Sequence, residues 1–506
     1  MKNGSPVSPA AADLRLSAAA LSSLLLLSAC ALGPDFTRPQ TAAGERYTPE
    51  ALPAQTAATE VSGGAAQKLV AGGEIPAQWW QLFGSPLISQ RVAEALAHSP
   101  SLAAAQAALR QAQENVNAAV GGYYPAFSAD GSATRAKTNT AASPGSNSSY
   151  YYTLYGASVN VSYTLDLFGA TRRGVEAQRA AAEYQQFQLE GAYLTLAANV
   201  VTASVQEASL QTQLSATEDI LKSREEQLKI TQKQYELGAI ARTDLLAAQS
   251  LLESTRATLP ALRQQLAQVR SRLAVYLGRM PAEQEISQLD LNALTLPQDV
   301  PVSLPSQLTQ QRPDIRAAEA QLHQATASLG VATANLFPKL TLSAGYGSQA
   351  GAGNELFKSP AEIWNVAGGL SAPLFQGGTL RANKRAAQAA LDQAYANYRL
   401  TVLQGFANVS DSLNALQNDA QALQSRHAAL QAAEQNLDLV QKSYRAGAVG
   451  YLNVLDAQRQ QQQARIDFIT AQSARYNDTA ALLQALGGGW WNRQTEPGTA
   501  VAASAP

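Results

Sequence analysis

A tandem repeat constrains this chain more than any other feature. Pro100 to Pro125 reads PSLAAAQAALRQAQENVNAAVGGYYP. Pro313 to Pro338, 213 positions later, reads PDIRAAEAQLHQATASLGVATANLFP and is again bounded by proline. Tyr235-Glu236-Leu237-Gly238-Ala239 returns as Tyr444-Arg445-Ala446-Gly447-Ala448, and Leu277-Gly278 as Leu486-Gly487, both 209 positions on. The chain is therefore two similar halves, 80–280 and 306–490, and what one half folds into the other repeats. Around them lie an N-terminal leader (1–29), an extended segment (30–79) that is Thr/Ala/Gly/Pro-rich from Ala42 to Gly73, a linker (281–305) that is Pro-rich from Leu294 to Pro305, and a tail (491–506) of disordered composition from Gln494.

Each half is expected to run helix, two strands, very long helix, helix. In the first half these helices span Pro86 to Val120, Thr171 to Glu236 and Ala241 to Leu277. Val402, Val409, Leu416, Leu423, Leu430, Leu437 and Tyr444 stand seven apart in the second half. The first half has Tyr193, Val200, Glu207, Leu214, Leu221, Leu228 and Tyr235, with Glu207 the one polar exception. Sustained heptads imply helices packed along their length, and ordinary globular helices rarely exceed about 25 residues. At 1.5 Å per residue the long helix is roughly 99 Å, about the sum of the two shorter ones.

Between the helices the period changes to two. From Tyr151 to Leu167 the odd positions are mostly apolar or aromatic, while Ser158, Asn160, Ser162, Thr164 and Asp166 are polar. Leu340 to Tyr346 and Trp364 to Leu374 repeat the alternation more weakly. Such strands have water on one side and lipid or core on the other. No stretch beyond the leader offers 18 apolar residues, so any membrane crossing falls to strands. Four strands per chain cannot close a barrel, and hydrocarbon accepts no open edge. Two copies would supply eight strands and three would supply twelve; three leave room for a lumen.

The compartment is read from the N-terminus. Lys2 and Arg15 precede a short apolar run, Ala18 to Leu27, and then Leu27-Ser28-Ala29-Cys30. This resembles a bacterial lipobox, which implies acylation of Cys30 and cleavage after residue 29. Ala31 rather than Asp after the cysteine implies sorting to the outer membrane. Cys30 is the chain's one cysteine, which excludes an intrachain disulfide or a cysteine metal cluster. His98, His323 and His427 are scattered and read as surface or packing residues. A net charge of -1 implies no bulk attraction to nucleic acid. There is no GxSxG, P-loop or HExxH, so no enzyme or cofactor is indicated.

The order and spacing of several segments resemble the TolC-like outer-membrane efflux proteins, in particular the OprM/NodT lipoprotein type. These segments are Cys30 to Pro39, Trp80 to Leu109, the two Pro-bounded blocks, Leu167-Phe168-Gly169, Leu374 to Gly378, Leu455 to Arg459 and Ala485 to Trp490. The resemblance implies a homotrimer with a shared twelve-stranded barrel and a periplasmic tunnel of coiled helices. It also implies two partners: a periplasmic adaptor and an inner-membrane pump, usually of the resistance-nodulation-division type. A periplasmic coiled-coil lipoprotein without a pore remains the alternative at this point.

The turns 237–244 and 446–453 each join a long helix to the next, and Gly238 and Gly447 suit helix C-caps. By resemblance these tips form a gated entrance, with Gly238, Ala239, Gly447 and Ala448 at the adaptor contact. Asp244, Asn453 and Asp456 match the family's gate positions. With Asn453 in place of an acid, a trimer would carry three carboxylates of Asp456. At roughly 7 Å spacing these repel by about 0.6 to 2.4 kcal/mol per pair. The family's tip arginine has no match at Val449, and Arg242 and Arg459 are the possible substitutes. On spacing alone, Asp244 also reads as a helix-start residue and Asp456 as a solvated helix face.

Overall fold

The computed structural model describes residues 32–39, 46–51, 53–139, 149–283 and 289–493. The expected leader, Cys30 and the tail from residue 494 lie outside them. Helices dominate: α1 (Pro86–His98), α2 (Pro100–Val120), α3 (Ala170–Glu236), α4 (Arg242–Tyr276), α5 (Pro305–Gln311), α6 (Pro313–Ala334), α7 (Thr379–Arg445) and α8 (Tyr451–Ala485). The strands are β1 (Lys68–Ala71), β2 (Ala126–Asn139), β3 (Ser149–Leu165), β4 (Asp299–Val302), β5 (Lys339–Ala350) and β6 (Glu362–Ser371). The repeat is literal in the helices: α3 and α7 both have 67 residues, and α4 and α8 both have 35.

Two differences from the sequence reading have plain causes. The helix expected from Pro86 to Val120 is two helices, because Ser99 stands extended at ψ 122° before Pro100. Proline's ring clashes with a helical residue on its N-terminal side. The extended segment and the linker are not loose connections either. Lys68–Ala71 pairs in parallel with Asp299–Val302, and the buried Gln67 amide donates to Pro297 O and Thr479 Oγ1, both at 3.0 Å. Four-residue strands joined across more than two hundred positions leave no local periodicity to read.

The chain forms two compact units. One comprises the described parts of 1–39, 109–184 and 318–398. Its centre is an antiparallel sheet in the order β2-β3-β5-β6, so the two hairpins of the repeat lie side by side. Asp166 accepts from Arg172 N–H at 2.8 Å and caps the first turn of α3. Residues 32–39 are strapped to this unit. Leu32 N–H donates to Phe168 O, Phe36 stacks on His323 at 4.5 Å, and Arg38 pairs with Glu319 at 2.6 Å. Arg173 holds Asp35 at 2.5 Å and Glu176 at 2.7 Å, and Glu176 also meets His323 at 3.0 Å.

The other unit comprises the described parts of 40–108, 185–317 and 399–506. Its core joins Trp79, Phe83, Ile88, Leu273, Leu291, Leu308, Val409, Leu416 and Tyr476, all essentially without solvent contact. Glu207 explains its own place in the heptad: it is buried and accepts from Arg91 and Arg270, each at 2.8 Å. Gly487, Gly488 and Gly489 all have positive φ. A Cβ on them would strike Gln311 O, Leu194 Cδ1 and Ile75 O respectively. Only glycine fits such a path.

Candidate functional site: an open sheet and two helix tips

The register sorts the sheet's residues by face. On one side lie Ser128, Asp130, Ser132, Ser158, Asn160, Ser162, Ser343 and Asn365. They are linked by hydrogen bonds such as Asn160 Nδ2 to Asp130 Oδ2 at 2.8 Å. On the other lie Phe127, Val159, Val161, Leu340, Leu342, Tyr346, Trp364, Val366 and Leu370. Phe127, Trp364, Val366 and Leu370 are 70–75% exposed. A row of exposed aromatic and aliphatic side chains on a regular sheet needs an apolar neighbour. Within the sheet β2 and β6 each pair on one side only. From Leu165↔Leu340 to Tyr155↔Ala350 the apolar face runs ten residue steps. That is about 34 Å along the strand and roughly 25 Å of depth at the tilt of membrane barrels.

The two tips lie in the helical unit and share one backbone design. After α3, Gly238 N–H donates to Tyr235 O at 2.9 Å and Ala239 N–H to Gln234 O at 2.8 Å. After α7, Gly447 donates to Tyr444 O and Ala448 to Ser443 O, both at 2.9 Å. Both glycines are left-handed, at φ +72° and +74°. These are Schellman caps, and they satisfy carbonyls the helix end would otherwise strand. Asp244 N–H and Asn453 N–H then donate to Ala241 O and Gly450 O, at 3.1 Å each, as the next helices begin.

The side chains differ. Tyr451 is buried in a small cluster with Ala248, Val454 and Leu455, its ring 5.3 Å from that of Tyr444. Thr231 Oγ1 donates to the Tyr451 hydroxyl at 3.3 Å. Burial pushes the Tyr451 phenol upward, and the negative charge of Asp244 adds to this. Asn453 and Asp456 are exposed one turn apart on α8. Asp456 is not a bare carboxylate: Arg459 pairs with it at 2.6 Å and Gln460 donates to it at 3.0 Å. Of the two arginines considered for the tip, Arg459 is thus the one engaged with a gate position. Arg224, which sequence reasoning missed, lies buried nearby with one bond to Leu251 O and two unpartnered nitrogens. Burial, reinforced by the charge of Arg459, lowers its pKa to about 10. Among the described residues no group of metal-ligating side chains assembles, and no helix is long and apolar enough to cross a membrane.

A sheet with one apolar and one polar face, built from one hairpin of each long-helix repeat, is the pattern of a channel-type membrane protein. The family model for outer membrane efflux proteins matches residues 92–279 and 304–488, and the chain belongs to that family. It is 32% identical over 486 residues to nodulation protein T of Rhizobium leguminosarum bv. viciae, covering 94% of each chain. It is 31% identical over 421 residues to the pyoverdine export outer membrane protein OpmQ of Pseudomonas aeruginosa, covering 82% of this chain and 87% of that one. The solved outer-membrane channel OprN superposes with a TM-score of 0.81 at 29% identity, over 91% of this chain and 100% of that one. The protein is an outer-membrane efflux component, and its fold is that of a channel rather than an enzyme.

Proposed function

We propose that three copies of this chain pool their sheets into a twelve-stranded barrel. The assembly would form the passive outer duct of a tripartite efflux system, served by a periplasmic adaptor and an inner-membrane pump of the resistance-nodulation-division type. The open sheet carries the proposal. Its two outer edges need strand partners, its apolar face needs lipid, and its polar face suits a water-filled lumen. A lipid on Cys30 fits the strap that follows it, since Leu32 is bonded to Phe168 just past the helix-side end of β3.

The tips are proposed as the gated entrance and the adaptor contact. Leu237 and Leu452 are exposed there at 84% and 64%, as a docking surface would require. With Arg459 on Asp456, the ring formed by three copies is a set of ion pairs, weaker in repulsion than three free carboxylates. Opening then needs a shift between two packings of the tip helices, biased by a partner.

Single-channel recording in planar bilayers tests the duct. Stepwise conductance from purified trimer is expected. A stable trimer that never conducts would establish the pore-less structural lipoprotein instead. For the gate, Asp456→Asn should alter cation block and open probability; unchanged traces would remove Asp456 from that role.

A further inference from the structure

In both hairpins the first strand ends and the second begins at the end of the sheet opposite its helices, at Asn139 and Ser149 in one and at Ala350 and Glu362 in the other. In an outer-membrane channel whose helices are periplasmic, that end faces outward. Along β2 the apolar face runs Phe127, Ala129, Gly131, Ala133 and then Arg135 and Lys137. Both cations are exposed, and their partners on β3 are Thr153 and Tyr151. Lys137 Nζ lies 5.4 Å from the centre of the Tyr151 ring. The last row shared by three strands is Ala133–Tyr155–Ala350. Arg135 and Lys137 therefore stand two and four residues beyond the apolar band, about 5 and 10 Å further out in depth. That is the level of lipid headgroups, where a strand cation is tolerated, whereas at the midplane it is strongly destabilising.

The second hairpin differs. Its Lys358 is 3.6 Å from Glu355, and Glu362 lies on the apolar face opposite Ser348, one pair along that face from Tyr346 and Trp364. Among the described residues of a single chain, the positive charge of this rim that has no carboxylate beside it belongs to the first hairpin. Asp130, the carboxylate nearest in sequence, is on the opposite face.

We propose that Arg135 and Lys137 bind the phosphate of an anionic lipid headgroup in the outer leaflet, with the Tyr151 ring at the boundary with the lipid's apolar part. The inference rests on the reading of the apolar face as lipid-facing, and it does not depend on how many copies close the barrel.

Native mass spectrometry of the full detergent-purified protein tests it, with lipid A, dephosphorylated lipid A and phosphatidylcholine as added lipids. Selective retention of phosphorylated lipid A is expected. At the usual contribution of a surface cation to anionic-lipid binding, Arg135→Gln with Lys137→Gln should weaken that retention roughly thirtyfold. Retention of dephosphorylated lipid A and phosphatidylcholine should not change. Equal retention of phosphorylated lipid A by the double variant overturns the site. So does displacement of the lipid by inorganic phosphate at equal concentration, which marks a free-anion site. Should none of the lipids be retained by either protein, the lipid-facing reading itself fails, and the oligomer mass in the same spectra shows whether folding was lost.

Discussion

The two halves of the chain share helix lengths and tip geometry but fill the interior of the helical unit in opposite ways. In the first half Glu207 and Arg270 form a buried charged cluster with Arg91. Their counterparts 209 positions on are Leu416 and Thr479. In the second half the charge sits elsewhere: Asp419, Arg475 and Asp478 stand where the first half has Leu210, Leu266 and Val269. Arg475 is fully buried and donates to Leu416 O at 2.7 Å. Backbone dimensions were kept between the repeats while each acquired its own polar cluster, so equivalent positions tolerate either chemistry when the partners come with it.

The largest expected effect breaks the first cluster. Glu207→Leu imports the second half's residue but takes from Arg91 and Arg270 the carboxylate that balances their charge. Stripping one partner from buried charges costs about 3–5 kcal/mol. Denaturant unfolding in detergent should show that loss. Adding Arg91→Met and Arg270→Thr should restore most of it, since an apolar replacement of the whole cluster is often neutral. A silent single variant would mean that the interior does not depend on this cluster.

The second cluster is expected to respond to pH. Burial, a hydrogen bond that the protonated carboxyl donates to Asp419 and the charge of Asp419 push the Asp478 carboxyl up to about 8, against the pull of Arg475. The folded protein then keeps a proton that the unfolded chain releases near pH 4. Between these values the folded state binds more protons, so stability is greatest at the acid end and falls as pH rises toward about 8. Because Asp478 is only partly enclosed, the span should be about 1–3 kcal/mol. Melting temperature against pH should lose most of this slope in Asp478→Asn. The first half, with Val269 there, has no counterpart to the effect.

What could be read from sequence was whatever repeats locally. Heptads gave the long helices, alternation gave strands and their two faces, and Gly238 and Gly447 marked the tips. β3 ends at Leu165 and β6 at Ser371, short of the alternation's end at Leu167 and Leu374. The break at Ser99 was legible in principle, since Pro100 signals it. The partners of Glu207 were not, because they lie 116 and 63 residues away. Arg459 on Asp456 is a one-turn spacing that could have been seen, and it changes the charge expected of a gate ring. Arg224 carries no sequence mark, because its burial depends on which faces of several helices meet.

The tips sharpen the comparison at smaller magnitudes. A Cβ on Gly238 or Gly447 would meet nothing within 4 Å. A substitution there tests backbone strain alone. Gly238→Ala and Gly447→Ala should each cost about 1–2 kcal/mol, the penalty of a left-handed residue. Unequal losses in thermal unfolding would show that the shared cap geometry hides unequal constraint by neighbouring helices.

The smallest effect on stability is expected where the tips differ in charge. Asp456 and Arg459 stand where the first half has Ala247 and Ser250. Asp456→Ala with Arg459→Ser makes the two alike. Both side chains are more than half exposed, and an exposed pair contributes about 0.2–1 kcal/mol. Melting should therefore barely move. Because folding is spared, any change in ion selectivity or open probability of this double variant reports the electrostatics of the entrance rather than damage to it. A change produced by Asp456→Ala alone and cancelled by adding Arg459→Ser would show that the pair's net charge governs passage. If the double variant conducts as the single does, the carboxylate acts on its own despite its neighbour.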